Sequence, residues 1–390
     1  MKLTVIDQTG DKIGGAQQSL ELFLRNIPAD IVPRVIFFER GAFAERIERL
    51  GIPVDVVGLG EGIKRSSRER PRTSALLEIP RTVNALAAKL RADAPDVVYT
   101  NGVKAHVVGS VAARLAGFSS VVHHRDILSG AARLLILGVT ATCTRARIVT
   151  SQNVRRCYPL PHTTVIDNPV DLELYRDLPE PLAARAALGL PAGVPVAAVV
   201  GRINRWKGLD RFLRALAAVN RTTELHGAIV GAPHFRDADY VPELHALSEQ
   251  LGLQERVTFI DWVDDPRAVY AAIDINVNSA TREPFGRTII EAAAAGVPSI
   301  CYDDSGVSET MTDPAAGRVL RAGDEPALAA ALRDYAGDAG YLRAAGAAAR
   351  HWALRFGAPL HAERVAGVLR SALTVPRRTP DVAPGISRQP

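Results

Sequence analysis

The feature that most constrains this chain is an alternation that runs through it twice. Short segments rich in β-branched residues recur at 3–6, 35–38, 54–57, 97–100, 121–124 and 148–151. Apolar residues at helical spacing fill the intervals, as at 17–25, 42–50 and 80–93. Strands separated by helices pair in parallel, because each return needs a crossover long enough to hold a helix. A non-helical stretch at 158–171, with Pro159, Pro161 and Pro169, interrupts the pattern. It resumes with strands at 195–200, 228–230, 257–260, 275–277 and 299–301 and an Ala-rich helical run at 325–373.

A chain of 390 residues suits two domains better than one core. The expectation is therefore an α/β protein with two Rossmann-like, doubly wound parallel sheets facing a cleft. The first domain spans 1–168 and the second 169–373, with the last helix packing back on the first domain and a disordered tail at 374–390. In such sheets ligands bind beyond the carboxyl ends of the strands.

Composition excludes several classes. Apolar residues make up 47% and charged residues 23%, the balance of a soluble globular protein. Cys143, Cys157 and Cys301 lack pairing or metal-ligand spacing, which argues against a disulfide framework or zinc site and for a reducing compartment. The first residues read as a strand rather than a signal peptide, and no stretch approaches the roughly 20 apolar residues of a membrane span; the expectation is a cytoplasmic location, either free or peripheral on the inner membrane face. The formal charge of +5 is concentrated: residues 64–72 hold five Lys/Arg (Lys64, Arg65, Arg68, Arg70, Arg72) against Glu69, and the tail adds three Arg against one Asp. The remaining body is near neutral, which argues against nucleic-acid binding. The 64–72 loop is either solvated or a contact for an anionic acceptor or membrane surface.

Three motifs carry chemistry. Gly14-Gly15 lies between the first strand and first helix, where small residues let backbone approach a ligand and a helix N-terminus favours an anion. Gly201-Arg202-Ile203-Asn204-Arg205-Trp206-Lys207-Gly208 leaves the first strand of the second domain, and Arg202 and Lys207 there suit a pyrophosphate. The third is Glu283-Pro284-Phe285-Gly286-Arg287-Thr288-Ile289-Ile290-Glu291, running into an Ala-rich helix. It sets two carboxylates eight residues apart around a glycine, each able to hold a diol, with helix N–H groups open at Gly286.

These motifs resemble the retaining glycosyltransferase family 4, the group 1 glycosyl transferases with a GT-B fold. Glu283 and Glu291 match its paired-glutamate motif, Arg202 and Lys207 its basic pair, and Gly14-Gly15 its glycine loop; Asn168-Pro169-Val170-Asp171 and Glu309 are also typical. The resemblance implies a nucleotide-sugar donor, most often a UDP-sugar, with Gly14 and Gly15 against the pyrophosphate and Arg202 and Lys207 neutralising the leaving diphosphate in place of a metal. It implies Glu283 and the backbone of Phe285, Gly286 and Arg287 at the transferred sugar, Thr288 and Ile289 near phosphate and ribose, and Glu291 on the ribose hydroxyls. It also implies a catalytic histidine at the end of the strand Val121–His124: His123 is favoured, with His124 on the opposite face. Asp261 stands where the family commonly has glycine, near the nucleobase. The expected function is retaining transfer to a glycan, lipid-linked or small-molecule acceptor, without metal or cofactor. A nucleotide-sugar epimerase and an inactive sugar-nucleotide-binding scaffold are the alternatives.

Overall fold

The computed structural model of the protein describes residues 1–11, 13–60, 73–233, 237–303 and 306–374. The basic stretch 64–72 and residues 375–390 lie outside the described residues.

The chain forms two all-parallel sheets. The first comprises β1 (Lys2–Asp7), β2 (Val32–Phe37), β3 (Val54–Val56), β4 (Val97–Asn101), β5 (Ser119–His124), β6 (Ala146–Val149) and β7 (Thr163–Val165), in the order β3-β2-β1-β4-β5-β6-β7. The second comprises β8 (Val196–Val200), β9 (His226–Val230), β10 (Val257–Ile260), β11 (Ile275–Asn278), β12 (Ser299–Asp303) and β13 (Gly317–Arg321), in the order β10-β9-β8-β11-β12-β13. The central strands are buried along nearly their whole length, because helices cover both faces. Strand order reverses between β1 and β4 and between β8 and β11, the two places where a crevice opens at the carboxyl ends. The Gly14-Gly15 loop follows β1, the Arg202–Lys207 loop follows β8, and Glu283 follows β11, so the motifs issue from the two switch points.

The helices of the first half are α1 (Gly15–Arg25), α2 (Ala42–Glu48), α3 (Thr73–Asp93), α4 (Val103–Ala116), α5 (Gly130–Cys143) and α6 (Gln152–Cys157). Those of the second are α7 (Pro181–Ala187), α8 (Leu209–Val219), α9 (Tyr240–Gln250), α10 (Pro266–Ala272), α11 (Arg287–Ala295), α12 (Gly306–Thr310), α13 (Glu325–Gly337), α14 (Ala339–Ala353) and α15 (Ala358–Thr374). The helical run at 325–373 is thus three helices. Asp338 ends the first and caps the second, its carboxylate accepting from the N–H groups of Gly340 and Tyr341. Helix α15 crosses to the first sheet, where Val365, Ala366 and Leu369 join Val5, Val35 and Tyr99 in one core. Strand β7 falls inside the stretch expected to be irregular; three residues between prolines are too short to show a period. Strand β13, with its alternating burial, is a second edge strand the pattern did not announce.

Candidate active site

The chain reaches Glu283 through Arg282, whose φ of +60° is uncommon for a residue with a side chain. Gly286 follows at φ +84° and starts α11; a Cβ there would lie 3.0 Å from Ile289 Cδ1 and 3.1 Å from Val307 Cγ2, so glycine is required on both counts. The loop from Glu283 to Gly286 and then about one turn of α11 separate Glu291 from Glu283.

Each glutamate is held by a cation. Lys207 Nζ donates to Glu283 Oε2 at 2.6 Å, and the two side chains are only 13% and 12% exposed. The loop after β8 is stapled in place for this contact: Ser279 Oγ donates to the Lys207 carbonyl at 2.9 Å, and the Thr281 N–H to that of Trp206 at 2.8 Å. Gly208, at φ +66°, packs so closely on the Ser279 carbonyl that a Cβ would reach it at 2.3 Å. Arg202, on the same loop, is exposed and has no hydrogen-bond or ion-pair partner among the described residues. Glu291 accepts from Arg287 Nη2 at 2.9 Å and from the Tyr270 hydroxyl at 3.2 Å.

Arg287 also joins the two halves. Its Nη1 donates to Ser19 Oγ at 2.7 Å and to the Pro169 carbonyl at 3.2 Å. Its stem lies where a Cβ on Gly15 would stand 2.9 Å from Cδ, so the absence of a side chain at Gly15 admits it. Further contacts near the site bridge the halves, among them Ser151 Oγ, which donates to the Pro284 carbonyl at 2.7 Å, and Glu309, which accepts from the Asn153 N–H at 3.1 Å and pairs with Arg156 at 3.3 Å.

Behind Gly14 and Gly15 sits a buried polar network. Asp7, at the end of β1, accepts from the Thr9 N–H at 3.0 Å, from Gln17 Nε2 at 3.1 Å and from Asn101. Burial pushes its carboxyl up to about 6, against the opposing pull of those donors and of Arg125. Asn101 Oδ1 accepts from Arg125 Nε at 3.0 Å, Arg125 also donates to Asn168, and Ser19 donates to Asn168 at 3.3 Å. The linker asparagine therefore connects Arg125 to Ser19, and through Ser19 to Arg287.

His123 belongs to this network. Its Nδ1 lies 2.6 Å from the Tyr99 hydroxyl and 3.1 Å from Arg125 Nη2. An arginine can only donate, so Nδ1 is the acceptor and the ring proton sits on Nε2, which has no partner. Burial first, then the Arg125 charge, hold the ring well below its ordinary range, so it is neutral at pH 7. His124 points to the other face, stacked 3.9 Å over Tyr158 and edge-on to His106. The side chains of both are buried, at 0% and 2% exposure, so in this conformation neither presents a ring to the cleft and His123 acts as a support for Arg125.

The remaining expected residues are placed as follows. Gly14 is the N-cap of α1. The Thr288 methyl lies 4.0 Å from where a Cβ on Gly201 would be, joining the first turn of α11 to the loop after β8. The side chains of Phe285 and Ile289 are buried in the core, so only their backbones remain to face a ligand; the Phe285 carbonyl accepts from Thr310 Oγ1 at 3.0 Å. Asp261 is exposed just beyond β10. Sequence reasoning missed Tyr270, Arg125, Asn101, Asp7 and the side-chain role of Arg287, because isolated polar residues on separate strands carry no spacing signal. Among the described residues no group of three or more His, Cys, Asp or Glu is placed to hold a metal ion.

Residues 182–352 match the model of the family described as glycosyl transferases group 1. The chain is 36% identical over 187 residues to a D-inositol 3-phosphate glycosyltransferase of Nocardia farcinica, covering 47% of this chain and 41% of that one. It is 33% identical over 154 residues to the lipopolysaccharide core biosynthesis glycosyltransferase LpsE of Rhizobium meliloti, covering 40% and 43% respectively. The chain thus spans less than half the length of these two curated relatives. The fold matches the crystal structure of Anabaena HepE in complex with UDP over 95% of this chain and 100% of that one, at a TM-score of 0.82 and 27% identity, and HepE is also known in complex with UDP-glucose. The two switch-point loops, the paired glutamates and these likenesses converge on one assignment: residues 182–352 are a segment of the glycosyl transferases group 1 type, within a chain built on a GT-B fold.

Proposed function

We propose that the protein is a retaining glycosyltransferase that transfers a sugar from a UDP-sugar to a glycan, lipid-linked or small-molecule acceptor. The observation that carries the proposal is the pair Lys207–Glu283 at the open end of α11, with Arg202 on the same loop as Lys207, exposed and without a partner among the described residues. An ammonium has three donors, and Glu283 takes one, so Lys207 can hold the sugar-side carboxylate and a phosphate oxygen together. Arg202 and the α11 N-terminus add positive potential on the same side.

In this reaction the anomeric C–O bond to the diphosphate breaks, charge grows on the phosphate oxygens, and Lys207 and Arg202 stabilise it. The departing phosphate oxygen takes the acceptor proton as the acceptor oxygen bonds to carbon on the same face, which retains configuration. Glu283 orients the transferred sugar; Glu291, set by Arg287 and Tyr270, accepts from the ribose hydroxyls. Two fixed cations take the place of a divalent ion, and no cofactor is needed beyond the two substrates. The UDP preference is supported by the complexes formed by HepE.

The test is nucleoside-diphosphate release from a panel of UDP-, GDP-, ADP- and dTDP-sugars, with and without candidate acceptors and with EDTA, followed by NMR of the product. UDP release that depends on acceptor, survives EDTA and gives a retained anomer supports the proposal. An inverted product, or loss with EDTA restored by Mg²⁺, overturns the mechanism. Turnover without acceptor points to an epimerase.

A further inference from the structure

Helix α5 is apolar on the side that it turns to solvent. Of its 14 residues only Ile136 and Thr140 are buried. Its exposed positions are Gly130, Ala131, Leu134, Leu135, Gly138, Ala141 and Thr142, which recur at three- and four-residue spacing and therefore lie on one face. None is charged, and Leu134 and Leu135 are 67% and 56% exposed. A surface helix ordinarily turns its charged residues outward, and one that is apolar all round is ordinarily enclosed. Neighbouring α4 ends in a further exposed leucine, Leu115, at 55%.

The surroundings are basic. Between residues 97 and 166 the chain holds eight Lys/Arg and a single acid, Asp126. Arg125 and Arg147 serve interior contacts, whereas Arg133 lies on α5, Arg145 just after it, Arg114 on α4, which packs against it, and Arg155 and Arg156 on α6, Arg156 pairing with Glu309 yet 73% exposed. Arg133 Nε donates to the Cys157 carbonyl at 2.9 Å, which fixes the end of α6, with its exposed Arg155 and Arg156, beside the start of α5. No helix among the described residues is long and apolar enough to cross a membrane.

We propose that α5 is an interfacial helix that lies in the headgroup region of an anionic bilayer, Leu134 and Leu135 entering the acyl boundary and the flanking arginines meeting lipid phosphates. An uncharged stripe with a basic rim is the pattern that such surfaces bind. A second copy of the chain fits less well, because an isologous contact through this face would set the same arginine rims against each other. The proposal needs no step of the transfer reaction, so it stands or falls apart from the function proposed above.

The experiment is co-sedimentation of the full chain with vesicles of phosphatidylcholine containing about 30% phosphatidylglycerol, against phosphatidylcholine alone. Wild type partitions to the anionic vesicles, and raising NaCl to about 0.5 M releases it, since the attraction is screened within a few ångströms. Leu134→Ser with Leu135→Ser lowers the partition coefficient about tenfold or more while the melting temperature is unchanged, both side chains being largely exposed already. Arg155→Gln with Arg156→Gln lowers it several-fold, at roughly 1 kcal/mol for each basic residue at an anionic surface. Wild type that stays in the supernatant, or a double-serine variant that binds equally well, overturns the proposal. So does a concentration-dependent dimer that the double-serine change abolishes, which would give the face to a second copy.

Discussion

Lys207 and Arg202 are expected to serve the same leaving group, yet their removal should damage the protein differently. Lys207→Ala leaves Glu283 with 12% exposure and no partner at 2.6 Å. Stranding one member of a buried pair costs roughly 3–5 kcal/mol. The residual exposure of both groups lowers this to about 2–3 kcal/mol, because water reaches the carboxylate. For a domain of this size that is a fall of about 5–10 °C in the melting transition of the second domain. Arg202→Ala removes an exposed side chain without partners, and its effect on stability should stay within about 0.5 kcal/mol. Both variants should lose about 10² in turnover, the effect of deleting one preorganised charge-stabilising donor. The assay is urea unfolding with parallel nucleoside-diphosphate release on wild type, the two single variants, Glu283→Gln and Lys207→Ala/Glu283→Gln. The double variant should regain about 1–2 kcal/mol over Lys207→Ala, because no charge is then left unpaired. Equal stability of Lys207→Ala and Arg202→Ala, or additive losses in the double variant, would refute the reasoning.

Two further outcomes follow from the site. Glu291→Gln should mainly raise the donor KM, since a ribose contact is the same in ground and transition states, whereas Glu283→Gln should mainly lower kcat; swapped signatures in steady-state kinetics would exchange the two roles. Asp7 carries a pH signature in stability: its folded value of about 6 lies above its ordinary 3.8, so protonation favours the fold. That contribution is complete below about pH 4 and lost as pH rises through about 6, amounting to about 3 kcal/mol. Asp7→Asn should flatten the urea-unfolding profile between those limits, and an unchanged slope would place the titration elsewhere.

The fold was legible because both periods are local. β-Branched runs and helical spacing are set by neighbours within a turn or a strand, and they located eleven of the strands and the motif loops. What they could not supply is whatever depends on distant partners. The edge strands β7 and β13 are defined by pairing to β6 and β12, not by their own pattern. The site divides the same way. Glu283, Gly286 and Glu291 stand in one continuous segment whose spacing is itself the signal. The Asp7–Asn101–Arg125–Asn168–Ser19 network draws one residue from each of five segments, so it emerges only once β1, β4 and β5 lie side by side. His123 and His124 point to opposite faces, as strand alternation requires, and what the strand alone could not show is that α15 covers the His123 face, with His361 stacked 6.2 Å away. Net charge likewise could not show position, since a near-neutral body conceals the basic region between 97 and 166.

The geometry also constrains how a donor would enter. Both glutamates of the site already hold a cation, Lys207 on one and Arg287 on the other, so the ligand-free site is balanced within itself. A diphosphate arriving there meets one uncommitted cation among the described residues of the site, Arg202, and competes with carboxylates for the rest. Lys207 can answer by sharing its three donors without releasing Glu283. Arg287 has less freedom, because one arm of its fork is committed to Ser19 on the first domain and to the Pro169 carbonyl at the junction of the two. Glu291 therefore keeps the position that the opposite domain sets for it through Arg287, and any opening of the cleft that withdraws Ser19 would loosen the carboxylate proposed above to hold the ribose. On the proposed function, donor affinity and domain closure would then be linked through a single guanidinium, which Gly15 admits by having no side chain of its own.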